Sequence, residues 1–297
     1  MKTNIPADAS KALYAGIRPD SRIITGLGKM FKHILLLLWT FVVLYPISIL
    51  IFTSFKTDKE YVGTSVFSPP ESFLNFSNFT KAFLEGDFVT AFRNSLILVL
   101  VGAVGTVFIG SMVAYCLDRF DFKFKKYIKL LYTISYIVPS VALQVSIYAV
   151  MKGMNLTGTI YAPILIYLST DIVQLWIYLQ FIEKISVSLD ESAMIEGASY
   201  FKIFTSIIIP LLTPATATVI ILKSVTIYND MYTQYLYMSK IELKTATTAL
   251  MAFQGNRINV QNLMSAAILI VMLPTILIFL SMQKYIFQGI TVGSVKE

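Results

Sequence analysis

The sequence predicts an all-α membrane protein with six transmembrane helices and both termini on the cytoplasmic side. Three observations predict it. Only 14% of the 297 residues are charged and 56% are hydrophobic, whereas soluble domains carry about 25% charged residues. The apolar residues gather in six blocks, each near the length of about 20 residues that crosses a bilayer. Lysine and arginine concentrate in alternate segments between those blocks, as they do on the cytoplasmic side of membrane proteins.

Residues 1–33 precede the first block. Ile23, Ile24, Leu27, Met30, Phe31 and Ile34 recur at helical spacing, with Arg22, Lys29 and Lys32 between them. That pattern suits a helix lying along the cytoplasmic surface and turning into the first span; a plain polar leader fits as well. The block itself begins too late and runs too long for a cleaved signal peptide. Residues 34–297 read as one membrane domain.

The first span is expected at about 34–52. The outer loop that follows, about 53–93, holds Pro69, Pro70 and the phenylalanines 67, 73, 76 and 79. A loop that long and that apolar is expected to fold against the membrane domain. The second span, about 95–117, leads into a short inside loop with Arg119, Lys123, Lys125, Lys126 and Lys129. This loop is the strongest single indication of orientation. Spans three and four are expected at about 130–150 and 160–182, and the inside loop 183–206 is long enough to form helices of its own. Span five, about 207–229, is the weakest, because Lys223 and several threonines interrupt it; span six follows the outer loop 230–262, at about 263–283. Pro46, Pro139, Pro163, Pro210, Pro214 and Pro274 sit in or beside these spans, where proline frees a backbone carbonyl and kinks a helix.

Several classes of function are excluded. The net charge of +7 is accounted for by the basic inside loops, and no basic groove with interleaved aromatics points to nucleic acid. Cys116 is the one cysteine, so the chain has no internal disulfide. His33 is the one histidine, and there is neither a His-Glu-x-x-His pair nor a phosphate loop ending in Gly-Lys-Ser/Thr. No catalytic residue, metal site or bound cofactor is expected.

The inside loop reads Ser188-Leu-Asp190-Glu191-Ser192-Ala193-Met-Ile-Glu196-Gly197-Ala-Ser199. Ser188 and Glu191 have the spacing of a capping box. Asp190 and Glu191 suit the positive end of a helix dipole, and Gly197 suits a left-handed helix stop. Ser199 is then placed to cap a second helix. Helix chemistry alone describes a well-capped two-turn connector.

The same stretch resembles the cytoplasmic loop of permeases in binding-protein-dependent ABC importers. The family pattern is Glu-Ala-Ala, three further positions with an acidic residue, then Gly; here it stands as Glu191 to Gly197. Tyr45-Pro46, Ser54-Phe55-Lys56, Asn94-Ser95 before span two, Arg119-Phe120 after it, Asn229-Asp230 and Pro210 to Pro214 are similar to the family as well. The tail Gln283-Lys-Tyr285 with Gly289 and Gly293 resembles its carbohydrate branch, which includes the second permease of maltose-type systems. The resemblance implies a type I importer fold and a coupling helix carrying Glu191, Ser192, Ala193, Glu196 and Gly197 that docks in a cleft of an ATPase. It implies a second permease, an ATPase dimer that uses ATP and Mg, and an extracytoplasmic binding protein that delivers a sugar, with an oligosaccharide expected. Ser192 replaces the usual Ala, and Glu196 the usual Asp. A non-sugar solute, and a channel or secondary carrier working alone, stay open as alternatives.

Polar groups inside spans are costly and face a cavity or another helix. Gln144, Asp171, Gln174 and Asn229 are the candidates for a substrate pathway. Asp171 and Lys223 are the ionisable residues placed well inside predicted spans, and a mutual ion pair is one expectation for them. Tyr136, Tyr148, Trp176, Tyr178 and Tyr228 offer faces of the kind that hold sugars, although aromatic residues also gather at membrane interfaces.

Overall fold

The computed structural model describes residues 21–254 and 261–292, which form helices and turns and no strand. The first helix, α1 (Ser21–Phe55), is continuous and carries Pro46 within it. There is no break between the basic amphipathic stretch and the apolar block. The long connection after it is folded, as its phenylalanines suggested, and holds α2 (Asp58–Gly63) and α3 (Ser77–Glu85). Thr57 and Glu60 form a complete capping box at α2. Phe55 packs against Phe73, Phe76 and Phe79.

This connection is clasped by Lys56, which is fully buried. Its Nζ donates to Thr64 Oγ1 at 3.0 Å, Ser65 O at 2.6 Å and Ser68 Oγ at 3.0 Å. Asn78 and Asn262 donate to the Lys56 carbonyl at 2.8 and 3.2 Å, tying α3 and the last helix to the end of α1.

The central element is α4 (Phe88–Arg119). It starts seven residues before the apolar block expected from sequence, so Asn94 and Ser95 lie within the helix and not ahead of it. Asn94 donates to the Glu242 and Lys244 carbonyls at 2.8 and 2.9 Å, and Ser95 Oγ accepts the Ala246 N–H at 2.9 Å. These bonds fasten one end of α4 to the loop of residues 230–262.

The next three apolar blocks are each divided in two. The third becomes α5 (Lys125–Ile137) and α6 (Ser140–Gly153), bent by 112°. Val138 is extended at ψ 124° because the following Pro139 disfavours the helical region. The fourth becomes α7 (Tyr161–Tyr167) and α8 (Ile172–Ile182), bent by 43°. Asp171 is extended and its carboxylate accepts the Gln174 N–H at 2.9 Å, so it caps α8. Sequence placed Asp171 well inside a span; it stands at the break in one.

Between the fourth and fifth blocks lies the short helix α9 (Val187–Ile195). Then α10 (Tyr200–Ile203) passes through a π-helical turn, Phe204–Ile208, into α11 (Ile209–Leu211). The chain bends by 79° into α12 (Thr213–Asn229). The expected fifth span, about 207–229, is therefore broken near residue 212. Pro214 sits in the first turn of α12, where its missing N–H costs nothing.

After α12 come α13 (Met231–Tyr237), α14 (Ala246–Ala249) and two 3₁₀ turns. The last helix, α15 (Gln261–Val292), carries Pro274 within it. Helices α1, α4 and α15 each contain a segment long and apolar enough to cross a membrane, and each bent pair has the composition of a further span. That gives three to six crossings by length and composition.

One core cluster joins α4, α8 and the α10–α12 segment through Tyr115, Leu175, Tyr178, Ile203, Phe204, Leu212 and Val219. A second joins α3, α4, α14 and α15 through Ala82, Phe88, Ala249, Ala266 and Ala267. Close approach of α4 to its neighbours needs small residues. A Cβ on Gly105 would collide with Leu168, and one on Gly110 with the amide of Gln174.

Candidate functional site

Two places carry unusual chemistry: the exposed helix α9 and a polar cavity between α8 and α12. The start of α9 is set by Ser186, whose Oγ accepts the Ser188 N–H at 3.3 Å. The capping box expected between Ser188 and Glu191 is absent, because Ser188 already lies in the first turn. The C-terminus follows expectation. Gly197 has φ +85°, its N–H donates to Met194 O at 3.0 Å, and the Ala198 N–H donates to Ala193 O at 2.9 Å. These two bonds are the Schellman stop, which glycine adopts without steric cost. Ser199 caps α10 by accepting the Lys202 N–H, as expected.

The faces of α9 are sharply unequal. Glu191, Ser192, Glu196 and Gly197 are exposed and Ala193 is half-buried. Val187, Leu189, Met194 and Ile195 are exposed as well, Ile195 by 88%. Tyr200 and Phe201 continue this apolar surface onto α10. Asp190 alone is buried. Its Oδ2 accepts from Arg119 Nε at 2.9 Å and from Tyr115 Oη at 3.3 Å.

Sequence reasoning saw Asp190 as a dipole partner, and Arg119 as a topological marker and part of the family resemblance, without pairing them. The signal that pairs them is weak: one acid on the inward face of an otherwise exposed helix, and one arginine at the end of the most buried span.

The cavity between α8 and α12 has a volume of about 230 Å³. Asp171, Gln174, Lys223 and Thr226 supply its polar wall, and Val173, Ile177, Val219 and Leu222 the rest. Lys223 Nζ donates to Asp171 Oδ2, so the two ionisable residues do pair. Gln174 is only 2% exposed; its Nε2 donates to the Thr106 carbonyl at 2.6 Å and its Oε1 accepts from Thr106 Oγ1 at 3.0 Å. Both ends of its amide are thus engaged with α4.

A second hollow of about 490 Å³ adjoins the first across Val173 and Ile177, and Tyr136 and Trp176 line it. Gln144 and Asn229 lie outside the polar cavity. Gln144 Oε1 accepts from Tyr237 Oη at 3.2 Å, and Asn229 is exposed at the end of α12. Of the other aromatic candidates, Tyr178 and Tyr228 are buried. Tyr178 Oη donates to Thr216 Oγ1 at 3.4 Å and Tyr228 Oη to Val271 O at 2.9 Å, so both serve the core. Tyr148 lies beside Tyr237, ring centres 5.8 Å apart and planes tilted by 36°.

Residues 106–292 match the family described as binding-protein-dependent transport system inner membrane component. The melibiose/raffinose/stachyose import permease protein of Bacillus subtilis is 32% identical over 255 residues, covering 84% of this chain and 91% of that protein. The arabinooligosaccharides transport system permease protein of the same organism is 30% identical over 256 residues, covering 85% and 90%. The trehalose/maltose transport system permease protein of Thermococcus litoralis is 27% identical over 277 residues, covering 90% and 98%. Among solved structures, a chain of a bacterial ABC transporter involved in the import of the acidic polysaccharide alginate superposes with a TM-score of 0.78 at 19% identity, covering 91% of this chain and 99% of that one. That likeness is one of fold.

Proposed function

The chain belongs to the family of binding-protein-dependent transport system inner membrane components, and on that premise we propose that it takes up a carbohydrate, an oligosaccharide, as one of two permease subunits in an ABC importer. A second permease completes the pathway, an ATPase dimer binds the side that carries α9, and an extracytoplasmic binding protein delivers the sugar. ATP and Mg are used by the ATPase subunits. The reading takes six crossings, which leave both termini on one side, and the basic loop at 118–129 supports the cytoplasm as that side.

The observation that carries the reading is the form of α9. It is a short helix, capped at both ends, that buries one carboxylate and turns an apolar surface outward beyond the spans. Such a patch on a soluble-facing segment marks an interaction site. In the coupling role, Glu191 and Glu196 offer charge to a basic partner, Ser192 and Ala193 permit close approach, and Gly197 sets the turn.

Transport follows by alternating access. ATP closes the ATPase dimer, α9 moves with it, the spans open outward, and hydrolysis resets them. For the sugar pathway, Asp171 with Lys223 and Thr226 offers hydrogen bonds, and the adjoining hollow offers the faces of Tyr136 and Trp176. Gln174 shapes that wall through its bonds to Thr106. Gln144 and Asn229 are placed to meet solute nearer the outer loops.

The relatives' names favour a sugar over a polyol or glycerol phosphate. The test is reconstitution of the chain with its second permease, ATPase and binding protein in proteoliposomes. Uptake of an oligosaccharide that needs both ATP and the binding protein is the expected result. Uptake by the permease alone, or of a polyol in preference to every sugar tried, would sink the proposal.

A further inference from the structure

Arg119 ends α4, and Asp190 lies 71 residues further on in α9. Their side chains are only 7% and 5% exposed. The guanidinium is engaged on three sides. Nε donates to Asp190 Oδ2 at 2.9 Å, one terminal nitrogen to the Ile185 carbonyl at 2.7 Å, and the other to Asp118 at 2.6 Å. Tyr115, one turn back on α4, donates to the same Asp190 oxygen.

No other side chain of α9 is buried. Half-buried Ala193 packs on the core beside it, so a push on α9 reaches the bundle through this small apolar contact and one charge-assisted contact. Such contacts are short and directional, and a buried pair is costly to break on one side only. Asp190 Oδ1 is buried and has no partner among the described residues.

The far end of α4 is fastened too, through Asn94 and Ser95 to residues 242–246. At 1.5 Å per residue this 32-residue helix is about 48 Å long. It thus connects the surface of α9 to the opposite loop in one rigid piece.

We propose that the Asp190–Arg119 pair, with Tyr115, is the mechanical link through which movement of α9 displaces α4 and so reaches the far loop. Asp190 and Arg119 are then positioning residues for ATP-driven import. This rests on the reading of α9 as the coupling helix.

The test uses the whole transporter in proteoliposomes, with Asp190→Asn, Arg119→Lys, the double variant and Tyr115→Phe. The expected result is a complex that assembles with its ATPase and splits ATP at the basal rate. Solute-stimulated ATPase and uptake per ATP fall about fivefold or more in Asp190→Asn. The double variant is no worse than Asp190→Asn, and Tyr115→Phe shows a smaller loss with unchanged thermal stability. Full stimulation in both Asp190→Asn and Arg119→Lys would overturn the link. So would loss of ATPase assembly in Arg119→Lys and Asp190→Asn, which would give the pair a docking or folding role. A wild-type complex whose ATPase ignores solute would instead overturn the importer reading beneath it.

Discussion

Gly197 shows how much one backbone angle decides. A Cβ there would meet nothing within 4 Å, yet φ is +85°. Substitution is therefore strained and not crowded. A non-glycine residue in this region costs about 1–2 kcal/mol, and valine, branched at Cβ, is the harder case. Gly197→Val is expected to abolish most solute-stimulated ATPase while shifting the melting temperature little, because α9 hardly contributes to the core. Gly197→Asn should retain more activity, since asparagine tolerates the left-handed region. Equal losses in the two variants would show that side-chain size matters here and backbone angle does not. Gly110 is the opposite case. Its space is filled by the Gln174 amide, so Gly110→Ala must dislodge both bonds to Thr106. A loss of about 1–3 kcal/mol is expected from such overpacking, read as a lower melting temperature in detergent.

At the scale of the element, what could be read from sequence depended on how local its cause was. The Gly197 stop, the Ser199 cap and the folded loop after α1 rest on neighbouring residues, and all were visible there. The start of α9 was misplaced by two residues because Ser186 and Ser188 both have the chemistry of a cap, and only backbone angles choose between them. Ser186→Ala is accordingly expected to weaken α9 by about 1 kcal/mol, and Ser188→Ala to have almost no effect; hydrogen exchange at the first turn of α9 would distinguish them. The breaks were partly visible. Pro139 and Pro214 mark two of them, but Pro46 and Pro274 sit in continuous helices. The break before α8 has no proline at all. It depends on Asp171 leaving the helix to cap the next one and to meet Lys223, a residue 52 positions away. That pairing was expected because two opposite charges stood inside apolar blocks, whereas Asp190 with Arg119, likewise distant in sequence, left no such trace.

For the whole molecule, the apolar blocks fix how many crossings are available, and packing around α4 fixes which polar groups face one another. The Asp171–Lys223 pair is the clearest test of that packing. Asp171 is half-exposed and Lys223 mostly covered, so removing Asp171 strands the better-covered charge, whereas removing both is milder. Asp171→Asn and Lys223→Met should each reduce uptake more than the double variant does, in transport assays matched for expression. If the double variant is the worst of the three, the pair contacts solute and does more than hold α8 to α12. Topology has its own measurement. A cysteine placed at exposed Lys123 in a Cys116→Ser background should be reached by an impermeant thiol reagent only from the cytoplasmic side, and one at Leu74 only from outside. The reverse pattern would invert the orientation.

The clasp at Lys56 has one more consequence, for tolerance of the medium. Its ammonium is held by a backbone carbonyl and two hydroxyls, and among the described residues no carboxylate lies within ion-pair distance of it. Mobile ions weaken attraction between exposed opposite charges over about 10 Å at 0.1 M salt. They have little purchase on a dry cation surrounded by dipoles. The junction between α1 and its neighbours should therefore keep its shape from fresh water to brine, through osmotic swings that would loosen a surface ion pair.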